Sequence, residues 1–160
     1  MVEISVIRAD PRDLQVDAVI ARHLDLMRSV SPPESVFAQD AAGLVRDGAR
    51  LFVAQERAGP LLGIGAYKMI APTHAELKSM HVVAEARGRG VGGRLLQTIL
   101  EAATQEGARR LSLETGRAEA FAPALRLYRT AGFTECDAFA GYVANPFSTF
   151  LTMEIGASPA

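Results

Sequence analysis

The chain alternates between short apolar runs and longer stretches in which apolar residues recur every three or four positions. These two periods divide it into strands and helices. Val2 to Arg8 alternates and reads as a first strand. Asp10 is placed to cap a helix with Pro11 at its first position, and the helical pattern runs to about Arg28. Ser31-Pro32-Pro33-Glu34-Ser35-Val36 breaks it, and a short helix follows near Ala38 to Val45. Leu51 to Gln55 and Leu61 to Ile70 read as the arms of a hairpin turned at Ala58-Gly59-Pro60. After Pro72-Thr73 comes a strand over Ala75 to Val83. Leu95, Leu96, Ile99, Leu100 and Ala103 mark one face of a long helix from about Gly90 to Glu106, stopped by Gly107. Leu111 to Glu114 is a strand, and Phe121 to Thr130 a helix with Pro123 in its first turn and Gly132 past its end. Phe133 to Ala138 and Thr149 to Glu154 close the chain as strands. The order is βααβββαβαββ. It shows no internal repeat and no interdomain linker, so residues 1–160 are expected to form one α/β domain.

Composition narrows the partners. A chain of 160 residues, 49% of them hydrophobic, can bury a sizeable core without disulfides. A net charge of −1 argues against a nucleic-acid partner held by bulk electrostatics. Cys136 is the one cysteine, which excludes an intramolecular disulfide and a cysteine-rich metal centre. No stretch is long and apolar enough to span a bilayer, and the first residues lack a secretory apolar region. The expectation is a soluble cytoplasmic protein with no membrane partner. His23 and His74 show no metal-binding spacing and read as surface or loop residues, so no metal is expected.

The run Arg87-Gly88-Arg89-Gly90-Val91-Gly92-Gly93 falls where a strand gives way to a helix N-terminus. The first amides of a helix have no intrahelical partner, and the dipole adds positive potential there. Glycines let backbone approach a ligand closely, so the run suits an anion such as a pyrophosphate, with Arg87 and Arg89 adding charge. Gly88, Gly90 and Gly93 fit the dinucleotide pattern G-x-G-x-x-G, with Glu114 about 20 residues on as a ribose-binding acid. The context differs, because Ala84 to Arg87 separate strand from loop and no repeated βαβ units precede it. Arg87, Gly90 and Gly92 fill a second pattern, [Arg/Gln]-x-x-Gly-x-[Gly/Ala].

This second pattern resembles the acyl-coenzyme A loop of the GNAT N-acetyltransferase superfamily. Leu127-Tyr128-Arg129-Thr130-Ala131-Gly132-Phe133 resembles that family's "LY…GF" passage from helix to strand, at the right order and distance. Together they cover roughly Leu51 to Ile155. The Ser-Pro-Pro-Glu-Ser-Val, Leu-Glu-Thr-Gly and Gly-Tyr…Asn-Pro segments look like those of a subgroup of small bacterial acetyltransferases. The resemblance implies a mixed, splayed sheet flanked by helices, acetyl-CoA as donor and coenzyme A as product. Met80, His81 and Val82 would offer backbone groups to the pantetheine and thioester. The amides of Arg87, Gly88, Arg89, Gly90, Gly92 and Gly93, with Val91 in the same turn, would hold the pyrophosphate.

Tyr128 matches the family tyrosine that protonates the leaving thiolate; a buried amphipathic tyrosine would look the same in sequence. Glu76, eleven residues ahead of Arg87, resembles the catalytic glutamate of histone-type members, and a solvent-facing strand carboxylate is the alternative. His81 has a suitable intrinsic pKa, but strict alternation puts it on the face opposite Met80 and Val82. Glu34, Glu114 and Tyr142 are candidate contacts to the acceptor, from the three segments Ser31 to Phe37, Glu114 to Arg117 and Gly141 to Pro146. The expected acceptor is a small-molecule primary amine; a protein or peptide amine and a non-catalytic acyl-CoA-binding module are the alternatives. A homodimer is expected by family analogy, paired through an edge left open by Thr149 to Glu154.

Overall fold

The computed structural model describes residues 3–10, 12–36, 39–57 and 59–156. Seven strands form one sheet: β1 (Ile4–Arg8), β2 (Arg50–Glu56), β3 (Leu61–Ala71), β4 (His74–Val82), β5 (Arg110–Gly116), β6 (Thr134–Glu135) and β7 (Ser148–Glu154). Four helices accompany them: α1 (Leu14–Val30), α2 (Ala41–Arg46), α3 (Val91–Gln105) and α4 (Ala122–Ala131). The spatial order is β1-β2-β3-β4-β5-β7-β6. Among the described residues only β4 and β5 run parallel, joined by a crossover through α3, as a parallel pair requires. The element order is the one the apolar periodicity predicts.

Helices cover both faces. A Cβ added at Gly63 or Gly65 would meet Leu95, Val91 or Ile99, so the odd positions of β3 face α3. Ile64 pairs with His81, which touches His23 of α1, so the even positions face α1. The core lies between these layers. Ile20 of α1, Ile64, Leu111, Leu113 and Leu151 of the sheet, and Leu95 and Ile99 of α3 are all buried.

Several expected boundaries move. The cap of α1 is Asp13, whose carboxylate accepts from the Gln15 amide at 2.9 Å. Asp10 instead closes a local turn by accepting from the Arg12 amide at 2.9 Å. Two aspartates three residues apart can each cap, and the sequence pattern could not rank them. Helix α2 starts later than expected because Asp40 caps it through the Gly43 amide at 2.8 Å. The strand expected over Phe133 to Ala138 shrinks to two residues. Val2, Pro11, Phe37, Ala38 and Ala58 lie outside the described residues. Thr149 to Glu154 is not an open edge: β7 pairs with β5 on one side and β6 on the other. The sheet's edges are β1 and β6.

One irregularity matters for function. Opposite Gly65, β4 carries two residues, Ser79 and Met80, because the pairing slips between Ile64↔His81 and Ala66↔Lys78. Such a bulge bends a strand and re-aims its side chains. Ser79 takes up the extra residue at φ 58. Gly65 makes room for Met80, whose sulfur would stand 2.5 Å from a Cβ there. Residues paired across an antiparallel ladder share a face. Glu76, Lys78 and His81 oppose Lys68, Ala66 and Ile64, so all three lie on the α1 face. The strict alternation that set His81 against the Glu76 face does not survive the bulge.

Candidate active site

The parallel pairing of β4 and β5 ends at Leu77↔Leu113, although β4 continues to Val82 and β5 to Gly116. Past that point the strands part. A cleft of about 490 Å³ opens there, lined by both strands, the Gly-rich loop, α1 and α4. Met80, His81 and Val82 line it on one side, Glu114 and Thr115 on the other. β4 keeps its partner β3 but, among the described residues, has no strand on its β5 side beyond Leu77, which leaves main-chain groups facing the gap.

At one end lies the N-terminus of α3. Gly90 is its cap residue at φ 79, and among the described residues no side chain caps the helix. Gly88 also has positive φ, 80. L-residues pay for that conformation and glycine does not. A Cβ at Gly88, Gly90 or Gly93 would meet nothing within 4 Å, so the turn presents bare backbone to open space. Gly92 faces the protein instead, where a Cβ would stand 3.0 Å from Leu127 of α4. Unpaired first-turn amides on an open, uncapped helix start suit a pyrophosphate, and the unpaired edge of β4 suits an extended amide-bearing arm. The residues present therefore fit acyl-coenzyme A. Arg87 lines the cleft, whereas Arg89 is drawn into an ion pair with Glu56 of β2. Of the two arginines expected at the phosphates, the side chain of Arg87 alone faces the cleft.

Tyr128 comes from α4, which begins with Pro123 in its first turn and ends at Gly132 in the left-handed region. It is 4% exposed, packs edge-on against Phe133 at 5.7 Å, and still lines the cleft. Among the described residues its hydroxyl makes no hydrogen bond. Burial raises its pKa well above the phenol value, so it holds its proton.

The other end is built from side chains. Glu76, 3% exposed, accepts a hydrogen bond from the Tyr142 hydroxyl and sits 3.5 Å from Lys78 Nζ. Lys78 also reaches the Tyr142 oxygen at 3.5 Å. Burial, then the Glu76 charge, raises the Tyr142 pKa, so it too is a proton donor at neutral pH. Glu114 accepts from the Ser148 hydroxyl at 2.7 Å. Burial raises its carboxyl pKa, Ser148 opposes that, and the nearby Glu76 charge adds to it. Left-handed Ala140 and Gly141 turn the segment after β6, and Phe139, Tyr142 and Phe150 form a ring cluster with centroids 5.3 to 5.9 Å apart. Phe139 lies 6.0 Å from the His74 ring, so this cluster roofs the start of β4.

The histidines depart from expectation. His23 is 8% exposed on α1, not at the surface, and its Nδ1 lies 3.3 Å from His81 Nδ1 in the cleft wall. Burial, with the neighbouring cations around His81, lowers both pKa values to about 4, so the pair is neutral and shares one proton between the two nitrogens. His74 is a half-buried strand residue whose Nε2 is 2.7 Å from Ser112 Oγ. A lone histidine in an amphipathic helix gave no sign of its partner 58 residues away. Glu34 stands exposed in a 3-10 turn, Pro33–Ser35, and does not line the cleft. Lys78 went unrecognised in the sequence, although its spacing from Glu76, two residues on one strand face, was legible. Among the described residues no group of three or more metal-ligating side chains occurs.

Comparison with known proteins fits this geometry. The family model of the acetyltransferase (GNAT) family matches residues 16–133. The chain is 39% identical over 141 residues to the Bacillus subtilis (strain 168) protein named "Uncharacterized N-acetyltransferase YsnE", covering 88% of this chain and 93% of that protein. It is also 39% identical over 140 residues to "Uncharacterized N-acetyltransferase YedL" of Escherichia coli (strain K12), covering 88% and 87%. The crystal structure of an acetyltransferase of the GNAT family from Staphylococcus aureus Mu50 has the same fold, with a TM-score of 0.73 at 16% identity, covering 95% of this chain and 99% of that one. The splayed strands, the bare glycine turn and these relatives agree, and the chain belongs to the acetyltransferase (GNAT) family, as an acyl-CoA-dependent N-acetyltransferase.

Proposed function

We propose that the protein transfers an acetyl group from acetyl-CoA directly to the primary amine of a small molecule, with both bound in the cleft. The observation that carries this is the meeting of Tyr128 and Glu76 in one cleft, where β4 and β5 stop pairing. The donor supplies an activated acetyl group as a thioester. The amides of residues 87–93 bind its phosphates, and the free edge of Met80, His81 and Val82 orients its arm. The buried Tyr128 hydroxyl donates a proton to the sulfur as it leaves. Glu76, held in place by Tyr142 and Lys78, takes the proton that the acceptor ammonium gives up; after attack the nitrogen loses a second proton, which restores the Tyr128 phenol, so one proton in all is released, through Glu76. The ring cluster over the acceptor end favours a compact acceptor over a peptide, which needs an open groove. A cytoplasmic location is part of the same reading. Homodimerisation belongs to it as well, through β1, an edge strand with Ile7 exposed on it; a monomeric mass by sedimentation at high concentration would remove that part alone.

The test is Tyr128→Phe, which keeps the ring and removes the hydroxyl. Turnover, read as coenzyme A release with an amine acceptor, is expected to fall by roughly 10²–10⁴. Coenzyme A affinity and melting temperature should stay near wild type. Wild-type turnover under conditions where chemistry limits the rate would make Tyr128 a packing residue.

A further inference from the structure

The acceptor end of the cleft is short of one positive charge. Glu76 and Lys78 offset each other at 3.5 Å, with side chains 4% and 9% exposed. Glu114 forms no ion pair among the described residues, although it lines the cleft and is largely buried. Its one hydrogen-bond donor among the described residues, the Ser148 hydroxyl, is neutral, and that hydroxyl is itself fixed by the Asn145 side-chain amide at 3.0 Å. Sequestered carboxylates are costly unless paired. We propose that the acceptor is an amine carrying one positive charge and no carboxylate, and that Glu114 receives its ammonium group.

The exclusion of a carboxylate follows from the same inventory. A zwitterionic amino acid would bring a second anion beside Glu76 and Glu114, and like-charge juxtaposition is a strong source of rejection. Lys78 is paired with Glu76 at 3.5 Å and also acts on Glu114, so this one ammonium is shared between two carboxylates. The other cations in the cleft wall, Arg87 and Arg126, come from the loop after β4 and from α4, not from the strands that carry Glu76 and Glu114. Arg117 follows β5 directly, but it is exposed, donates its Nε to the Ser148 carbonyl at 3.0 Å and does not line the cleft. Ring surfaces and Leu26, Met27 and Phe121 leave room for an apolar body on the amine.

This inference rests on the transferase reading above, and the experiment separates the two. Coenzyme A release is measured with matched pairs: phenethylamine against phenylalanine, isoamylamine against leucine, and leucinamide against leucine. The last pair removes the negative charge at nearly constant size. In every pair the carboxylate-free member should have a kcat/KM at least about 10-fold higher. Glu114→Gln should raise the KM of the good acceptors about 10- to 100-fold, the range for a lost charge-assisted hydrogen bond, and shrink the preference to a few-fold. A preference for the amino acids, or a Glu114→Gln enzyme with unchanged KM and unchanged preference, overturns the inference and leaves the transferase reading standing. Coenzyme A binding without acetylation of either member of any pair overturns both.

Discussion

The two ends of the cleft are made differently. The donor end is backbone: seven consecutive residues, glycines with positive φ, and the uncapped start of α3. The acceptor end is side chain: Glu76 and Lys78 from β4, Glu114 from β5, and Tyr142 and Ser148 from the segment before and into β7. The first needs only a local turn to exist. The second needs two strand registers and a long loop to be right at once. Substitutions should therefore act on the donor end through conformation and on the acceptor end through charge.

The largest effect that could break this contrast is that of Glu76→Gln. If Glu76 takes the acceptor proton, kcat should fall by roughly 10²–10⁴. The change also leaves the ammonium of Lys78 buried without its counter-charge, so the melting temperature should fall as well. A stable variant with unchanged kcat would make Glu76 a structural partner of Lys78 and move the base elsewhere.

Between the ends stands the His23–His81 pair, and it tests the wall they share. Both groups have pKa values lowered to about 4 by burial, so between about pH 6.5 and 4 the unfolded chain binds protons that the folded one refuses. Stability should thus be full above about pH 6.5 and decline as pH falls towards 4. For the deeply buried His23 the loss is about 3 kcal/mol, the free energy of its pKa displacement. His23→Gln should remove much of that pH dependence in melting curves. An unchanged slope against pH would mean that the pair is solvated and able to charge.

What could be read in the sequence follows the same division. The strand–helix order and the Arg87 to Gly93 turn were legible because helical period and glycine spacing are local signals. The direction of His81 was not, because one extra residue at Ser79 reverses parity for everything after it. Nor was the role of Lys78, which depends on Tyr142 arriving from 64 residues away. The open edge assigned to Thr149 to Glu154 failed for another non-local reason: a strand after Phe133 was legible, but its pairing with the outer side of β7 is set by register, which the local pattern does not carry. Burial of His23 was hidden because a helix face with one histidine reads as polar until its neighbour is known.

Gly90→Val probes the donor end by conformation alone. The φ of 79 costs an L-residue roughly 1–2 kcal/mol, and the side chain would stand where the turn presents open backbone. Coenzyme A affinity should drop about 10-fold or more by calorimetry. The relative preference among amine acceptors should not move. A shift in acceptor preference would show that the ends are coupled through α3.

The smallest expected effect sharpens the acceptor end. Tyr142→Phe keeps the ring that packs 5.3 Å from Phe139 and 5.7 Å from Phe150, and removes the hydroxyl between Glu76 and Lys78. Those two remain 3.5 Å apart and can pair directly. Losing one hydrogen bond to a charged group costs about 1–3 kcal/mol when nothing replaces it, and less when the partners close on each other. The acceptor KM should therefore rise about 3- to 10-fold, with kcat changed less and the fold intact. The ratio of the two parameters is informative. A KM effect alone means that Tyr142 positions Glu76 and helps wall the acceptor pocket. A fall in kcat comparable to that of Glu76→Gln would mean that the acceptor proton reaches Glu76 through the Tyr142 hydroxyl. In that case the proton path, as well as the pocket wall, depends on the loop between β6 and β7.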